Sequence, residues 1–225
     1  MSGPLAVLER MSAALEPHGI FARGVVRFSD GEGPLLADGS RALSVVLLGN
    51  IGSSIWPAFS RWCETYAGAD PLDTWSKSLI GPLARTLDAA AYFPSDPPWQ
   101  PFQQWAMKAE GLKPSPLGIL IHPKYGLWHG YRGALGFPVA IEMPKVETDD
   151  PCDDCRDKPC LSACPVDAIS LSGFDVARCR SYLETEKGQK SCMKSGCLAR
   201  NACPVGALFR YNSEQLEFHM AALMR

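Results

Sequence analysis

Long apolar runs are missing from this chain. The longest, such as Ala42 to Leu48, fall far short of the roughly 20 residues a helix needs to span a bilayer, so no membrane partner is expected. An excess of positive charge is missing too. The formal net charge is −2, which leaves no global basic field to recruit nucleic acid or anionic lipid. The N-terminus lacks a basic stretch followed by an apolar one, so no secretory signal is expected and the protein is assigned to the cytoplasm. Apolar content is ordinary at 46%, which suffices for a sizeable core. A length of 225 residues admits one large domain or a medium domain with a small one.

Cysteine is abundant, and its placement matters more than its number. Of nine cysteines, eight fall between Cys152 and Cys203. Cys63 stands alone on a predicted helical stripe with Trp56, Phe59, Trp62 and Tyr66, and reads as a small core residue. A disulfide framework needs an oxidising compartment, for which there is no sign here. Clustered cysteines in a reduced compartment are more often metal ligands.

Before the cysteines, helical and strand patterns alternate. Leu5, Leu8, Met11 and Leu15 have helical spacing and stop before Pro17-His18-Gly19. Residues 24 to 28 and 42 to 48 read as strands, the second ended by Gly49-Asn50, with a Gly- and Pro-rich loop between them. Ser53 or Ser54 is expected to cap the helix carrying Trp56. Asp70-Pro71 opens an amphipathic helix through Leu87, with a disturbance expected at Gly81-Pro82. A short strand is expected at Ala90 to Phe93 and a helix from Phe102 to Glu110. Leu117 to Ile121 and Tyr131 to Ile141 read as two strands joined by a tight connection. The acidic, proline-bounded stretch from Pro144 to Pro151 marks a boundary between a domain of residues 1–145 and one of residues 146–225.

The cysteines form two runs. The first is Cys152-x2-Cys155-x4-Cys160-x3-Cys164-Pro165. The second is Cys179, then Cys192-x4-Cys197-x5-Cys203-Pro204. Short loops aim successive sulfurs inward at one small cube of iron and sulfide. A Cys-Pro closes each run, and the segments after it match as Cys-Pro-Val-x-Ala-(Ile/Leu). Such a pair resembles the bacterial two-cluster ferredoxins, in which the fourth cysteine of each run ligates the other cluster. One [4Fe–4S] cluster is therefore assigned to Cys152, Cys155, Cys160 and Cys203, and the other to Cys164, Cys179, Cys192 and Cys197. Structural zinc and disulfides are the competing readings, but zinc sites usually show two Cys-x-x-Cys pairs without the Cys-Pro crossing. The x4 and x5 spacings are longer than in the strict bacterial run, which alters loop geometry rather than ligand count.

Two family resemblances follow. The segment from Phe174 to Glu186, with Asp175, Arg178, Cys179, Ser181, Tyr182 and Leu183, resembles the Asp-x-x-Arg-Cys-x-Ser-Tyr-Leu-Thr stretch of epoxyqueuosine reductases. That resemblance implies that Cys179 is a ligand of the second cluster. The segment from Leu117 to Ala134, which includes His122-Pro123-Lys124-Tyr125-Gly126-Leu127-Trp128, resembles the His-Pro-Arg-Phe-Gly-Gly-Trp-Phe-Ala-Ile-Arg-Gly-Val stretch of the cblC-type (MMACHC-like) cobalamin-processing proteins. Weaker similarity of that second kind extends over roughly 130 residues. Both families imply a nitroreductase-related fold and base-off cobalamin. The fold expected is therefore α+β, a nitroreductase-related cobalamin-binding domain followed by a bacterial two-cluster ferredoxin-like domain.

These resemblances imply Gly118, His122, Trp128, Tyr131, Arg132 and Gly133 as a cofactor pocket. Arg132 suits the amide- and phosphate-bearing edge of cobalamin or a glutathione carboxylate. Gly118 and Gly133 match positions where backbone passes close to the corrin. Trp128 and Tyr131 suit the macrocycle edge, with an ordinary core role as the alternative. Neither His122 nor His129 reads as a cobalt ligand, because the Asp-x-His-x-x-Gly signature is absent from the chain. Asp96 in Ser95-Asp96-Pro97-Pro98 reads as a turn residue, and no residue is assigned to catalysis. The expected function is reduction of cobalamin or removal of its upper axial ligand, with electrons passed through the clusters. An electron-transfer or cobalamin-carrier protein without turnover, or an epoxyqueuosine-type reductase, is the alternative. The expected partners are cobalamin, an external donor such as a flavoprotein or ferredoxin, and glutathione. A homodimer is also carried as an expectation, because relatives often pair.

Overall fold

The computed structural model describes residues 3–144 and 149–224. The boundary expected between residues 145 and 146 lies outside the described residues. In chain order the elements are α1 (Pro4–Leu15), β1 (Phe21–Arg27), β2 (Ser44–Ile51), α2 (Trp56–Cys63), α3 (Pro71–Thr86), β3 (Ala90–Tyr92), α4 (Phe102–Glu110), β4 (Lys113–Pro114), β5 (Leu120–Ile121) and β6 (His129–Phe137). There follow α5 (Pro159–Ser162), β7 (Ile169–Ser170), β8 (Gly173–Phe174), α6 (Val176–Leu183), α7 (Glu186–Lys190), α8 (Cys192–Ser195), α9 (Leu198–Asn201) and α10 (Ser213–Ala222). Two compact units result, one of Met1–Gly111 with Gly130–Glu147 and one of Leu112–His129 with Thr148–Arg225.

The first unit is built on a four-stranded sheet in the order β1-β2-β6-β3, with β1 antiparallel to β2 and β3 antiparallel to β6. Strand β2 is the buried centre. Val45, Val46, Leu47 and Leu48 have no solvent exposure, and each contributes about 1.5–3 kcal/mol relative to an exposed side chain. Helix α1 starts at Pro4, where a missing N–H costs nothing, and buries Val7, Met11 and Leu15 at four-residue spacing. Helix α4 occupies the residues expected and stops at Gly111, whose φ of 68° suits a left-handed cap. Phe59 of α2 meets Trp75 of α3 edge to face at 5.6 Å.

Several local expectations needed correction. Gly49 and Asn50 do not end β2 but lie inside it. A Cβ at Gly49 would sit 2.4 Å from the Gly130 carbonyl oxygen, so glycine there lets β6 approach rather than breaking the strand. Neither Ser53 nor Ser54 caps α2, whose N-cap is Ile55. The Ser54 hydroxyl instead donates to the Gly19 carbonyl at 2.6 Å and accepts from the Ile51 N–H. Asp70 adopts a left-handed φ of 47° with no side-chain cap, and α3 runs unbroken through Pro82. Cys63 is half-buried rather than in the core. The two strands read at 117–121 and 131–141 do not form a hairpin. β5 pairs with β4, while β6 lies between β2 and β3 and ends at Phe137, before Pro138.

Tyr92 carries a measurable consequence. Its hydroxyl donates to the Leu35 carbonyl at 2.8 Å, and burial pushes its pKa up to about 12. The folded state thus favours neutral tyrosine. That stability is fully present below the usual tyrosine value of about 10 and is lost as pH rises toward about 12. Urea midpoints measured at stepped pH should fall above about pH 10 and fall less steeply in Tyr92→Phe.

The second unit has little regular structure and three small cores. The first gathers Leu117, Ile121 and Leu127 with Cys160, Ile169, Ala199 and Cys203. The second joins Trp128, Tyr211 and Leu216, and the third joins Leu183, Cys192 and Met220. Leu117, Ile121 and Leu127 are the residues through which Leu112–His129 packs within this unit.

Candidate functional site

All eight clustered cysteines lie in the second unit. Cys152 and Cys155 stand on the loop before α5, Cys160 lies within α5, and Cys164 follows it. Cys179 is held in α6, whose N-cap Asp175 accepts from the Arg178 N–H at 2.9 Å. Cys192 opens α8, Cys197 is the N-cap of α9, and Cys203 follows that helix. Cys152, Cys155, Cys160 and Cys203 together line a small cavity of about 20 Å³, with Pro116, Ile121, Pro159 and Pro204 closing its walls.

The electrostatics of the thiols sort them into two sets. Burial pushes Cys152 up to about 11, and Asp150, Cys203 and Cys160 add to the rise. Burial also raises Cys160, with Cys155 adding, and Cys203, with Cys160 and Cys155 adding. Cys179 is pushed up to about 11 by burial, then by Cys197, Cys164 and Cys192. Cys197 rises through burial, with Cys192 and Cys164 adding. Each of these thiol–thiol repulsions falls within the set 152, 155, 160 and 203 or within the set 164, 179, 192 and 197. Thiolates gathered in such sets would be stabilised by a positive centre. The Ala168 N–H donates to the Cys164 sulfur at 3.3 Å, a contact that favours negative charge on that sulfur. Among the described residues, no three His, Cys, Asp or Glu side chains converge closely enough to hold a single metal ion.

The two Cys-Pro-Val segments share a backbone turn. Asp167 has φ of 50° and Gly206, at the matching position, has φ of 68°. The second copy requires glycine for a further reason. A Cβ at Gly206 would lie 2.2 Å from the Tyr125 carbonyl carbon, and one at Gly126 would lie 1.9 Å from the Val205 oxygen. The two loops touch backbone to backbone. Gly206→Ala should destabilise the chain by roughly 1–3 kcal/mol or more, while Asp167→Gly should be tolerated. Urea unfolding of the two variants checks this contrast. The copies differ after that turn. Ile169 is buried at the start of the β7–β8 hairpin, whereas Leu208 has no equivalent hairpin and is 98% exposed.

The six residues expected around a cofactor divide between the units. Gly118, His122 and Trp128 belong to the second and Tyr131, Arg132 and Gly133 to the first. Gly118, with φ of 74°, turns the β4–β5 hairpin, and its N–H donates to the Ser115 carbonyl at 3.0 Å. The His122 Nδ1 accepts from the N–H groups of Lys124 and Tyr125 at 3.0 and 3.2 Å, and its ring stacks on Tyr125 at 4.2 Å. That makes His122 the organiser of the turn ending at Gly126. Trp128 has no solvent exposure. Its ring carries the Arg200 guanidinium at 4.4 Å and meets Tyr211 edge to face at 5.4 Å. Tyr131 donates to Glu110 at 2.7 Å. Arg132 is half-buried on the next position of β6 and so faces the opposite side of the sheet. Gly133 relieves crowding, since a Cβ there would meet the Ile80 side chain at 2.9 Å.

Two arrangements escaped the sequence reading. Arg23 pairs with Glu110 at 2.8 Å, with side chains 2% and 6% exposed, and also donates to the Asn50 carbonyl at 2.9 Å. Burial pushes the Glu110 carboxyl up, opposed by Arg23 and the Tyr131 hydroxyl. The other is Arg200, held between Trp128 and Tyr211 and donating to the Leu127 carbonyl. Arg23 lies 87 residues from Glu110 and Arg200 lies 73 from Leu127, so no local pattern announces either arrangement.

No protein-family model matches the sequence, and no curated protein is significantly similar to it. Solved structures are similar in fold. The B12-trafficking protein CblC of C. elegans, a homologue of human MMACHC, superposes with a TM-score of 0.56 at 13% identity, over 98% of this chain and 95% of that one. Epoxyqueuosine reductase from Streptococcus thermophilus superposes with a TM-score of 0.56 at 15% identity, over 92% of this chain and 66% of that one. The chain thus has a mixed helix-and-sheet fold similar to both proteins, the two kinds whose motifs it resembles. Among the described residues, no helix is long and apolar enough to cross a membrane.

Proposed function

We propose that this chain is a cobalamin-binding iron–sulfur protein that reduces cobalamin or removes its upper axial ligand. The observation that carries the reading is the sorting of eight cysteines into two sets of four, one of them gathered around a small common cavity. The sets coincide with the cross-ligated pattern of two-cluster ferredoxins. A tetrahedral zinc would hold its sulfurs within roughly 4 Å of one another at Zn–S distances of about 2.3 Å. A cubane spreads its four thiolates more widely, in keeping with the absence among the described residues of three ligands close enough to share one metal ion. The finer architecture is then a nitroreductase-related domain joined to a ferredoxin-like one. The cofactors are two [4Fe–4S] clusters and base-off cobalamin, and the partners are an external electron donor and glutathione. The corrinoid part of the reading is supported by the fold likeness to a B12-trafficking protein and by the His122-to-Ala134 resemblance.

When bound, the clusters supply single electrons and the corrinoid supplies the cobalt chemistry. The chain's own residues position these groups. Leu117, Ile121 and Leu127 pack against the first cysteine set and keep it dry. The Ala168 N–H stabilises sulfur charge on the second set. Fold likeness to epoxyqueuosine reductase keeps a nucleoside reductase as the second reading.

Protein purified without oxygen and titrated with cob(II)alamin, followed by paramagnetic resonance, tests the proposal. A base-off cobalt signal with about eight irons per chain is the expected result. Loss of cyanide from added cyanocobalamin under reduction would separate turnover from a carrier role. A signal that stays base-on beside about eight irons would reduce the protein to an electron carrier.

A further inference from the structure

The stretches that carry Cys152 with Cys155 and Cys179 with Cys192 differ in the sign of their net charge. Between residues 149 and 158, next to Cys152 and Cys155, stand five aspartates against two cations. Between residues 176 and 195, around Cys179 and Cys192, stand five cations against two glutamates. Arg178, Arg180 and Lys187 are exposed, as are Lys190 and Lys194. Lys190 is tied to Glu186 within α7, and Lys194 to Glu217 at 3.2 Å. A surface groove opens beside the second set, lined by Val166, Asp167, Arg178, Ser181, Tyr182 and Thr185. Its floor is two residues from Cys164 at Val166 and one residue from Cys179 at Arg178. Exposed Val176, next in sequence to Asp175, adds an apolar contact to the basic rim.

We infer that the basic surface of α6 and α7, beside this groove, docks an acidic one-electron carrier protein that reduces the cluster of Cys164, Cys179, Cys192 and Cys197. The inference rests on the iron–sulfur reading above. The charge of the surface sets the partner's sign. Arginine and lysine around the second set steer an acidic protein toward it, and the aspartates around the first set repel the same protein. Entry is thereby directed to one cluster. The step balances simply: the carrier loses one electron, the oxidised cluster gains one, and no proton or bond changes hands. The first set is packed by Leu117 and Ile121, of the stretch that includes Gly118 and His122.

The test uses the whole anaerobic protein and photochemically reduced flavodoxin as the probe, with cluster reduction followed by stopped-flow absorbance. The bimolecular rate should fall about tenfold or more as the Debye length is shortened from about 30 Å to about 3 Å with salt. The variant Arg178→Glu, Arg180→Glu, Lys187→Glu should slow the same reaction about tenfold at low salt. Its reduction by photoreduced deazaflavin should be unchanged. A wild-type rate indifferent to salt would overturn the inference, whatever the fate of the variant. So would a variant that retains its iron and reacts at the wild-type rate. Wild-type protein without iron or sulfide would overturn the iron–sulfur reading itself and the inference with it.

Discussion

Cys203→Ala should strip the cluster of Cys152, Cys155 and Cys160 and leave the other in place, although Cys203 is nearest in sequence to Cys197. Iron per chain should fall from about eight to about four. Cys164→Ala should do the converse, removing the cluster of Cys179, Cys192 and Cys197 while sparing that of Cys160, only four residues away. The expectation rests on which thiols repel which. Cys203 is raised by Cys160 and Cys155, and Cys179 by Cys197, Cys164 and Cys192. Iron and sulfide analysis identifies how much is lost. The paramagnetic signal of each reduced variant, compared with a Cys155→Ala and a Cys192→Ala protein, identifies which cluster is lost. Cys203→Ala should resemble Cys155→Ala. Resemblance to Cys192→Ala would mean that each run binds its own cluster, and the crossed assignment would be wrong.

The second large effect concerns the fold. Arg23→Met should destabilise the chain by about 3–5 kcal/mol, because it leaves the Glu110 carboxylate buried without its cation. Tyr131→Phe should cost about 1–3 kcal/mol through the lost hydrogen bond. Replacing both charges, as in Arg23→Met with Glu110→Leu, should be less damaging than Arg23→Met alone. Urea unfolding of the set gives the comparison. Additive losses in the double variant would show that the pair is not coupled. The triad also bears on the corrinoid pocket proposed above. Tyr131 already spends its hydroxyl on Glu110, so any part it takes at a cofactor edge falls to its ring.

Legibility in the sequence followed the range of the interaction. Helix α4 was readable to the residue because Phe102, Trp105, Ala106 and Ala109 repeat at helical spacing and Gly111 stops them. The two cysteine runs stood out because their spacing is local. Gly49 misled, since a glycine that permits a close strand approach looks the same as one that ends a strand. The pairing of β5 misled because adjacent strands in sequence usually pair, whereas β4 supplied only Lys113–Pro114, too short to show a pattern. Trp128 carried an aromatic signal with two meanings, and only the distant Arg200 and Tyr211 decide where it sits. Charge segregation between residues 149–158 and 176–195 was present in the sequence, but it gained meaning once the thiols were sorted.

The loop contact between Gly126 and Gly206 bears on how the protein is made. Leu112–His129 emerges from the ribosome before β6 and long before Cys152, yet it supplies a wall of the first cysteine cavity. That stretch is therefore already in place when the cysteines emerge. A gene fragment starting at residue 146 would encode all eight clustered cysteines and still lack Pro116, Ile121 and Leu127. The cysteine-bearing portion is not an interchangeable cassette, and transplanting it would mean carrying the earlier stretch with it.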